Sequence, residues 1–447
     1  MLVQRPSLRH VISSIGPALV CVVLPLILVL STIDRHPKFS PIDEAAHFDY
    51  VERVLTHGVP KFGDRLLKTT LGELSCRGTR LDGLVVPACD AKKPYDLYPG
   101  GAFQYEAQQP PLYYAFTAVP AKLLKRAVGI GSVGSARVIG ILWLAAGLLV
   151  LWAASRELGI ARLPMLATIL AITAAPNVVY YSSIISNDAA GILCGSLVVY
   201  LAALAYARQR PCLWWALGLG VAVSLVKTSC ALPAGVVGLV LFVGAWLMKA
   251  ASEGGIKEST DALRKTGLGL ILGSVGGTLL WVISYRALAT IDPKRLPTFD
   301  VLRTGPVTPA NILGQAKTFL AMLTDAYNPF NIWNGEIYGL LATLAMLVLV
   351  AGLAAGAFST TRTWWTVIGP SVLALLYLGG VAIGVGIWRA YDINPGVSGR
   401  YALPMLPLVA VIISAGLQRK AAQWVYSAGC VCFAALSIWM ITHVSLA

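Results

Sequence analysis

The chain has 447 residues, 57% of them hydrophobic and only 13% charged, with a formal net charge of +14. Its mean hydropathy of +0.71 excludes a soluble globular protein and points to a polytopic membrane protein. In that setting the positive charge reads as topology and attraction to anionic lipid, not as nucleic-acid binding.

Apolar runs of about 20 residues recur along the chain, the length a helix needs at about 1.5 Å per residue to cross about 30 Å of hydrocarbon. Membrane helices are predicted near 11–33, 135–155, 163–181, 188–206, 212–226, 230–248, 267–288, 337–357, 364–387, 401–417 and 422–442. The expected fold is therefore an all-α polytopic bundle of about eleven spans, one integral membrane domain covering 1–447. The first run is too long for a signal-peptide core and lacks a small-residue cleavage pattern, so it is expected to be retained.

Two extramembrane segments stand out, a first outer loop at 34–134 and a second at 286–336. Within the first, "PPLYYAFTAVPAKLLKRAV" at 110–128 is apolar on one side, interrupted by Pro120 and closed by Lys122, Lys125 and Arg126. That pattern predicts an interfacial helix with its basic residues among headgroups. With the N-terminus inside, the inner segments carry Arg5, Arg9, Arg156, Arg162, Arg208, Arg210, Arg264, Lys265, Arg419 and Lys420, and the short outer loops are nearly bare. The expected location is the plasma (inner) membrane, with both long loops on the periplasmic or extracellular side.

Of the eight cysteines, Cys76 and Cys89 alone lie in the first outer loop, and no pair has the spacing of a zinc knuckle. In an oxidising compartment a bridge between them would stabilise by about 3 kcal/mol.

Four motifs carry candidate chemistry. In "HPKFSPIDEAAHFDY" (36–50), Ser40, Pro41 and Asp43 have the order of a helix start, and Gly58 with Pro60 supplies a stop. The resulting helix, about 41–57, would place Asp43, His47 and Tyr50 on one face. Asp43 is then either a cap that offsets the helix dipole or a working acid. One histidine beside "DE" is not the two-histidine helix motif of zinc proteases, so no metal ligand set is expected.

In "YYSSIISNDAAG" (180–191), Asp188 sits at an outer turn, where Asn187 or Asp188 is equally readable as a helix cap. In "EAQQPPLYYAF" (106–116), the double proline forces an extended lead-in, and Tyr113 and Tyr114 suit an interfacial belt. Cations complete the set. Snorkelling and headgroup contact account for Arg286 and Arg303, but less well for Lys227, between two apolar runs, and Arg400, in "NPGVSGRYALPMLPL".

An acidic "DE" with a nearby His after the first helix, then "QPPLYY", then "SNDA", then "GRYALPMLP", in that order, resembles the GT-C superfamily of polytopic glycosyltransferases. The nearest likeness is to a bacterial domain-of-unknown-function family within it, with protein O-mannosyltransferases and lipid A aminoarabinose transferases more distant. The resemblance spans about 11–417 and implies inverting transfer of a sugar from a polyprenyl-phosphate donor to a cell-envelope glycan, lipid or protein. It implies that Asp43 orients or deprotonates the acceptor, that Glu44 assists and that Asp188 is the second acid. Position nominates Lys227 and Arg400 for the donor phosphate, and His47, Gln109, Tyr113 and Tyr401 are the expected substrate-binding side chains. Many relatives carry His where Gln109 stands, which puts an imidazole role there in doubt. No cofactor is specified, although a divalent cation is compatible with the acids.

The competing reading is a transporter or flippase of a lipid-linked or small polar substrate. Such proteins place ionisable groups near the midplane on broken helices, often with an internal repeat. Here the acids fall at span boundaries and no repeat is visible, but Lys227 keeps that reading open.

Overall fold

A computed structural model describes residues 15–80, 85–89, 94–251, 257–295, 306–325, 336–359, 363–393 and 396–443; Arg5, Arg9 and Arg303 lie outside them. Helices carry the fold. They are α1 (Ile15–Arg35), α2 (Glu44–Val54), α3 (Lys68–Arg77), α4 (Leu112–Val128), α5 (Ser132–Glu157), α6 (Arg162–Ala174), α7 (Pro176–Ser183) and α8 (Gly191–Arg208). There follow α9 (Leu213–Val226), α10 (Ala231–Ala251), α11 (Lys257–Leu288), α12 (Pro309–Leu313), α13 (Glu336–Ser359), α14 (Thr363–Tyr391), α15 (Leu406–Gly416) and α16 (Lys420–His443). Extended backbone pairs in only two single bridges among the described residues, Phe39 with Thr79 and Arg65 with Phe103.

Among the described residues, nine helices are long and apolar enough to cross a membrane: α1, α5, α8, α10, α11, α13, α14, α15 and α16, with α8, α10 and α15 counted together with adjoining 3₁₀ turns. The protein is thus a multi-pass membrane protein, although two of the eleven expected spans are altered. The run expected at 163–181 is split into α6 and α7, bent by 54°. Pro176 opens α7 and lacks the N–H that would continue the ladder, and it holds Ala175 in extended backbone. The run expected at 212–226 is α9, whose 14 residues rise only about 21 Å.

The α9 helix is held by small residues. A Cβ on Gly269, Gly273 or Gly277 of α11 would fall within 3.0 Å of α9 backbone at Leu213, Leu217 and Val221 respectively. This four-residue spacing lets two helices pack backbone to backbone. The matched order shows that α9 and α11 run parallel, and α10 packs antiparallel on α11, where Gly238 meets Gly267.

The long loops gather at one end of the bundle. Thr290 N–H donates to the Phe62 carbonyl at 2.8 Å, and Phe62 packs with Ala107 and Ile393. The opposite end joins short connections: Arg208 pairs with Glu157 at 2.7 Å, and Ser359 Oγ donates to the Gly416 carbonyl at 2.6 Å. Trp214, Trp215 and Trp424, all strongly exposed, lie near this second end, with Arg208, Arg210, Arg419 and Lys420 close by.

The first loop has its own core. The fully buried carboxylate of Asp49 accepts from Leu67 N–H (2.6 Å), Thr70 Oγ1 (3.0 Å), Gln104 Nε2 (2.9 Å) and Arg53 Nε (3.2 Å). A disulfide joins Cys76 to Cys89, as expected. The amphipathic helix α4 exposes Phe116, Val119 and Leu123 and buries Tyr113, Tyr114, Thr117 and Ala118. The tyrosines expected in an interfacial belt are therefore core: Tyr114 stacks on Tyr50 at 3.7 Å between ring centroids.

The second loop is anchored rather than loose in its described part. Thr308 and Asn311 form a capping box on α12, and a Cβ on Gly379 of α14 would strike the Phe319 ring. Asn177 of α7 fixes the next turn, donating Nδ2 to the Met322 carbonyl at 2.7 Å.

Candidate functional site

The helix expected over about 41–57 begins later, at Glu44, and Asp43 precedes it in left-handed backbone with φ 59°. This conformation is uncommon for a residue with a Cβ and is tolerated best by Asn and Asp. The turn is held from behind: Ser40 Oγ accepts from Ile42 N–H at 3.0 Å and bonds the Tyr180 hydroxyl at 2.6 Å. Asp43 and Glu44 consequently point to different surroundings.

Asp43 Oδ2 accepts from Arg400 Nη2 at 2.9 Å. On its other side Arg400 Nε stands 3.7 Å from Asp188 Oδ2, and Asp188 Oδ1 forms an ion pair with Lys227 Nζ. Four ionisable residues from remote segments thus form one chain, Asp43–Arg400–Asp188–Lys227. Tyr401 packs against both cations, 5.0 Å from Lys227 Nζ and 5.3 Å from the Arg400 guanidinium carbon, and Tyr181 approaches the guanidinium at 5.5 Å.

The members are not equally accessible. The Asp43 side chain is 27% exposed, whereas those of Asp188 and Lys227 are 1% and 3% exposed. Asp188 also accepts from Ser186 Oγ at 3.0 Å, so its carboxylate is fully engaged. The cap of the 187–190 turn is Ser186, not Asn187 or Asp188. Arg400 retains unused capacity: Nη1 is buried without a hydrogen-bond partner, and Nε is too far from Asp188 for a hydrogen bond.

Arg400 is positioned by Asp325, which no sequence signal had singled out. The Asp325 carboxylate accepts from Ser398 Oγ at 2.8 and 2.9 Å and from Gly399 N–H at 2.5 Å, and Ser398 Oγ in turn accepts from Arg400 N–H at 3.3 Å. A Cβ on Gly399 would meet the Ala321 carbonyl at 3.0 Å, so this close approach needs glycine.

On the other side of Asp43 lie His47 and Glu106. His47 Nδ1 bonds the Tyr114 hydroxyl at 2.7 Å, and Nε2 stands 3.8 Å from Glu106 Oε2. Ligand atoms of Asp43, His47 and Glu106 all lie within 4.8 Å of one another, a group that could hold a metal ion. Burial, reinforced by the charge of Asp43, pushes the Glu106 carboxyl up to about 8. Burial and the charges of Lys227 and Arg400 hold His47 well below the ordinary imidazole value.

Comparisons with protein-family models, curated proteins and solved structures return no match.

Of the remaining expected residues, Gln109 joins two walls of the site: Oε1 accepts from Asn187 Nδ2 at 3.0 Å, and the carbonyl accepts from the Tyr50 hydroxyl at 3.2 Å. Tyr113 is packed between Tyr114 and Trp143, with 1% exposure, and supports the site instead of lining it. Glu44 does not assist Asp43. Its Oε1 accepts from Arg137 Nε (2.7 Å) and Ile185 N–H (3.0 Å), and its Oε2 from Ser40 N–H and Arg137 Nη2 (both 2.7 Å). Arg137 also donates to the carbonyls of Lys38, at 2.8 Å, and His36.

His36 carries a pH signature. Burial and the charges of Arg80, Arg137 and Arg35 lower its pKa from 6.5 to about 3. The unfolded chain then takes up a proton below pH 6.5 that the folded chain refuses, so stability present at neutral pH is lost as pH falls. Between pH 7 and 5 the loss is about 2 kcal/mol. His36→Phe, which keeps a ring against Tyr180, is expected to flatten this acid limb in thermal unfolding in detergent.

Proposed function

We propose that the protein is a glycosyltransferase of GT-C type that moves a sugar from a polyprenyl-phosphate donor to a cell-envelope acceptor. The observation that carries this reading is the convergence of Asp43 and Asp188 on one guanidinium, Arg400, beside Lys227. A donor of this kind loses its phosphate as an anion that needs no proton, so the reaction asks for an acceptor-orienting acid and a cation for the departing charge. Asp43, the more exposed acid, meets the acceptor hydroxyl. Arg400, with its unused Nη1, meets the phosphate, while Asp188 holds Arg400 and Lys227 in place.

In the proposed step the acceptor hydroxyl gives its proton to the Asp43 carboxylate as its oxygen bonds to the anomeric carbon from the face opposite the phosphate, the bond from that carbon to the phosphate oxygen breaks with its electron pair leaving on the phosphate, and the configuration inverts. The loop-bearing end faces the periplasm or exterior in this reading, supported by the arginines and lysines at the short-connection end. The lipid-held donor then reaches the site between helices of a bundle with about eleven crossings.

A second reading, transport of a lipid-linked or polar substrate, has one observation in its favour. The buried Asp188–Lys227 pair lies where helices break, at the 184–190 turn and between α9 and α10. One experiment separates them: reconstitution of the full chain in vesicles containing polyprenyl-phosphate sugars and envelope lipids. The transferase reading expects a new glycosidic bond with inverted anomeric configuration, identified by mass spectrometry and NMR. Substrate flux into sealed vesicles without bond formation would overturn it. In cells, loss of the gene is expected to leave the lipid-linked donor accumulating and one envelope polymer short of its sugar.

A further inference from the structure

We propose that Asp43, His47 and Glu106 form a binding site for a single divalent transition cation of the Mn2+ or Zn2+ class. The inference concerns binding and stands whether or not the transferase reading holds.

The first ground is geometric. Two atoms each about 2.1 Å from an ion stand between about 3.0 and 4.2 Å apart, depending on the angle at the metal. The 3.8 Å between His47 Nε2 and Glu106 Oε2 falls inside that range and is too long for a proton-mediated bond. Asp43 completes a set whose ligand atoms all lie within 4.8 Å, so binding requires closure of about 1 Å. Asp43 already accepts from Arg400 Nη2 at Oδ2 and is hydrogen-bonded by the Tyr105 side chain, so an ion would share this carboxylate with both.

The second ground is the state of Glu106. The residue is buried, 5% exposed, and Oε2 has no hydrogen-bond partner. Around it Asp43 is matched by Arg400 and Asp188 by Lys227, so the negative charge of Glu106 is left over. A buried carboxylate in that position calls for a proton or a cation. The separation favours the cation: with Nδ1–H donating to Tyr114, Nε2 offers a lone pair that a protonated Glu106 could not reach across 3.8 Å but a shared ion could.

The third ground is the support behind the imidazole. Metal-ligating histidines are oriented through their other ring nitrogen. Here that partner is the Tyr114 hydroxyl, on a ring that is itself stacked nearly parallel on Tyr50. One nitrogen and two oxygens suit Mn2+ or Zn2+ better than Mg2+ or Ca2+, and three protein ligands leave a position open for a hydroxyl or water.

The test uses the purified full chain in detergent, stripped with EDTA and titrated with Mn2+ under electron paramagnetic resonance. A single saturable Mn2+ per chain is expected, with nitrogen hyperfine coupling from the imidazole. His47→Ala should lose the coupling, and Glu106→Gln should weaken binding by at least about tenfold. Glu73→Gln, at a loop acid paired with Arg77 instead, should change nothing. No saturable Mn2+ or Zn2+ at millimolar concentration, or Mn2+ bound by the unaltered protein without nitrogen coupling, would overturn the proposal. So would equal affinity in the Glu106→Gln variant. The coupling measurement needs no variant, so it decides the matter even if a substituted chain fails to fold.

Discussion

Asp43→Asn is expected to lower the rate of sugar transfer by about 100-fold to 10,000-fold while the chain expresses and folds normally. The conformation of this residue makes the substitution a clean one. Asp43 sits at φ 59°, ψ 0°, a region that asparagine visits more readily than other residues with a Cβ. Asparagine therefore preserves the turn and the reach to Arg400 while removing the negative charge to which the transferase proposal assigns the acceptor. Arg400 keeps Asp188 as a counter-charge, so no buried cation is stranded. Asp43→Ala should be equally inactive and about 1 kcal/mol less stable, because alanine carries the left-handed strain without a polar side chain to offset it. Rates from a donor-dependent transfer assay and melting in detergent, read side by side, separate the two effects. Near-normal transfer by Asp43→Asn would remove the acid from the chemistry.

The sequence was most legible where burial and polarity conflict. Long apolar runs have few stable solutions in a bilayer, so among the described residues each predicted run corresponds to helix, and the departures have local causes, Pro176 in one run and the shortness of α9 in another. Lys227 and Arg400 were conspicuous because an isolated cation in an apolar context needs a partner, and both have one. Arg137 is equally anomalous near the start of an apolar helix, and its partner Glu44 lies 93 residues away, beyond the reach of any local pattern. Glu106 and Asp325 gave no comparable signal. Each is an acid in an extramembrane segment, where a carboxylate is unremarkable until the tertiary structure closes over it. The resemblance implies that Glu44 assists Asp43, but the structure turns its carboxylate to Arg137. A single left-handed residue turns Asp43 toward Arg400 and its neighbour toward Arg137.

The divergence of those two neighbours predicts opposite behaviour on mutation. Arg137→Met is expected to destabilise the protein by about 3 to 5 kcal/mol, since it leaves a buried carboxylate without its cation. Glu44 is 0% exposed, and after loss of the guanidinium only the Ser40 and Ile185 amides would remain to satisfy it. The carbonyls of His36 and Lys38 would lose their donor as well. The double variant Glu44→Leu, Arg137→Met should be less damaged than Arg137→Met alone, because replacing a buried pair with apolar groups removes the stranded charge. Apparent melting temperatures of the four proteins in one detergent complete the double-mutant cycle. A cost below about 1 kcal/mol for Arg137→Met, the value of an exposed pair, would show that this pair is not the clamp that fixes Asp43. The clamp also binds Ile185, one residue before the Ser186 that holds Asp188, so Arg137→Met should reduce transfer even in the fraction that stays folded.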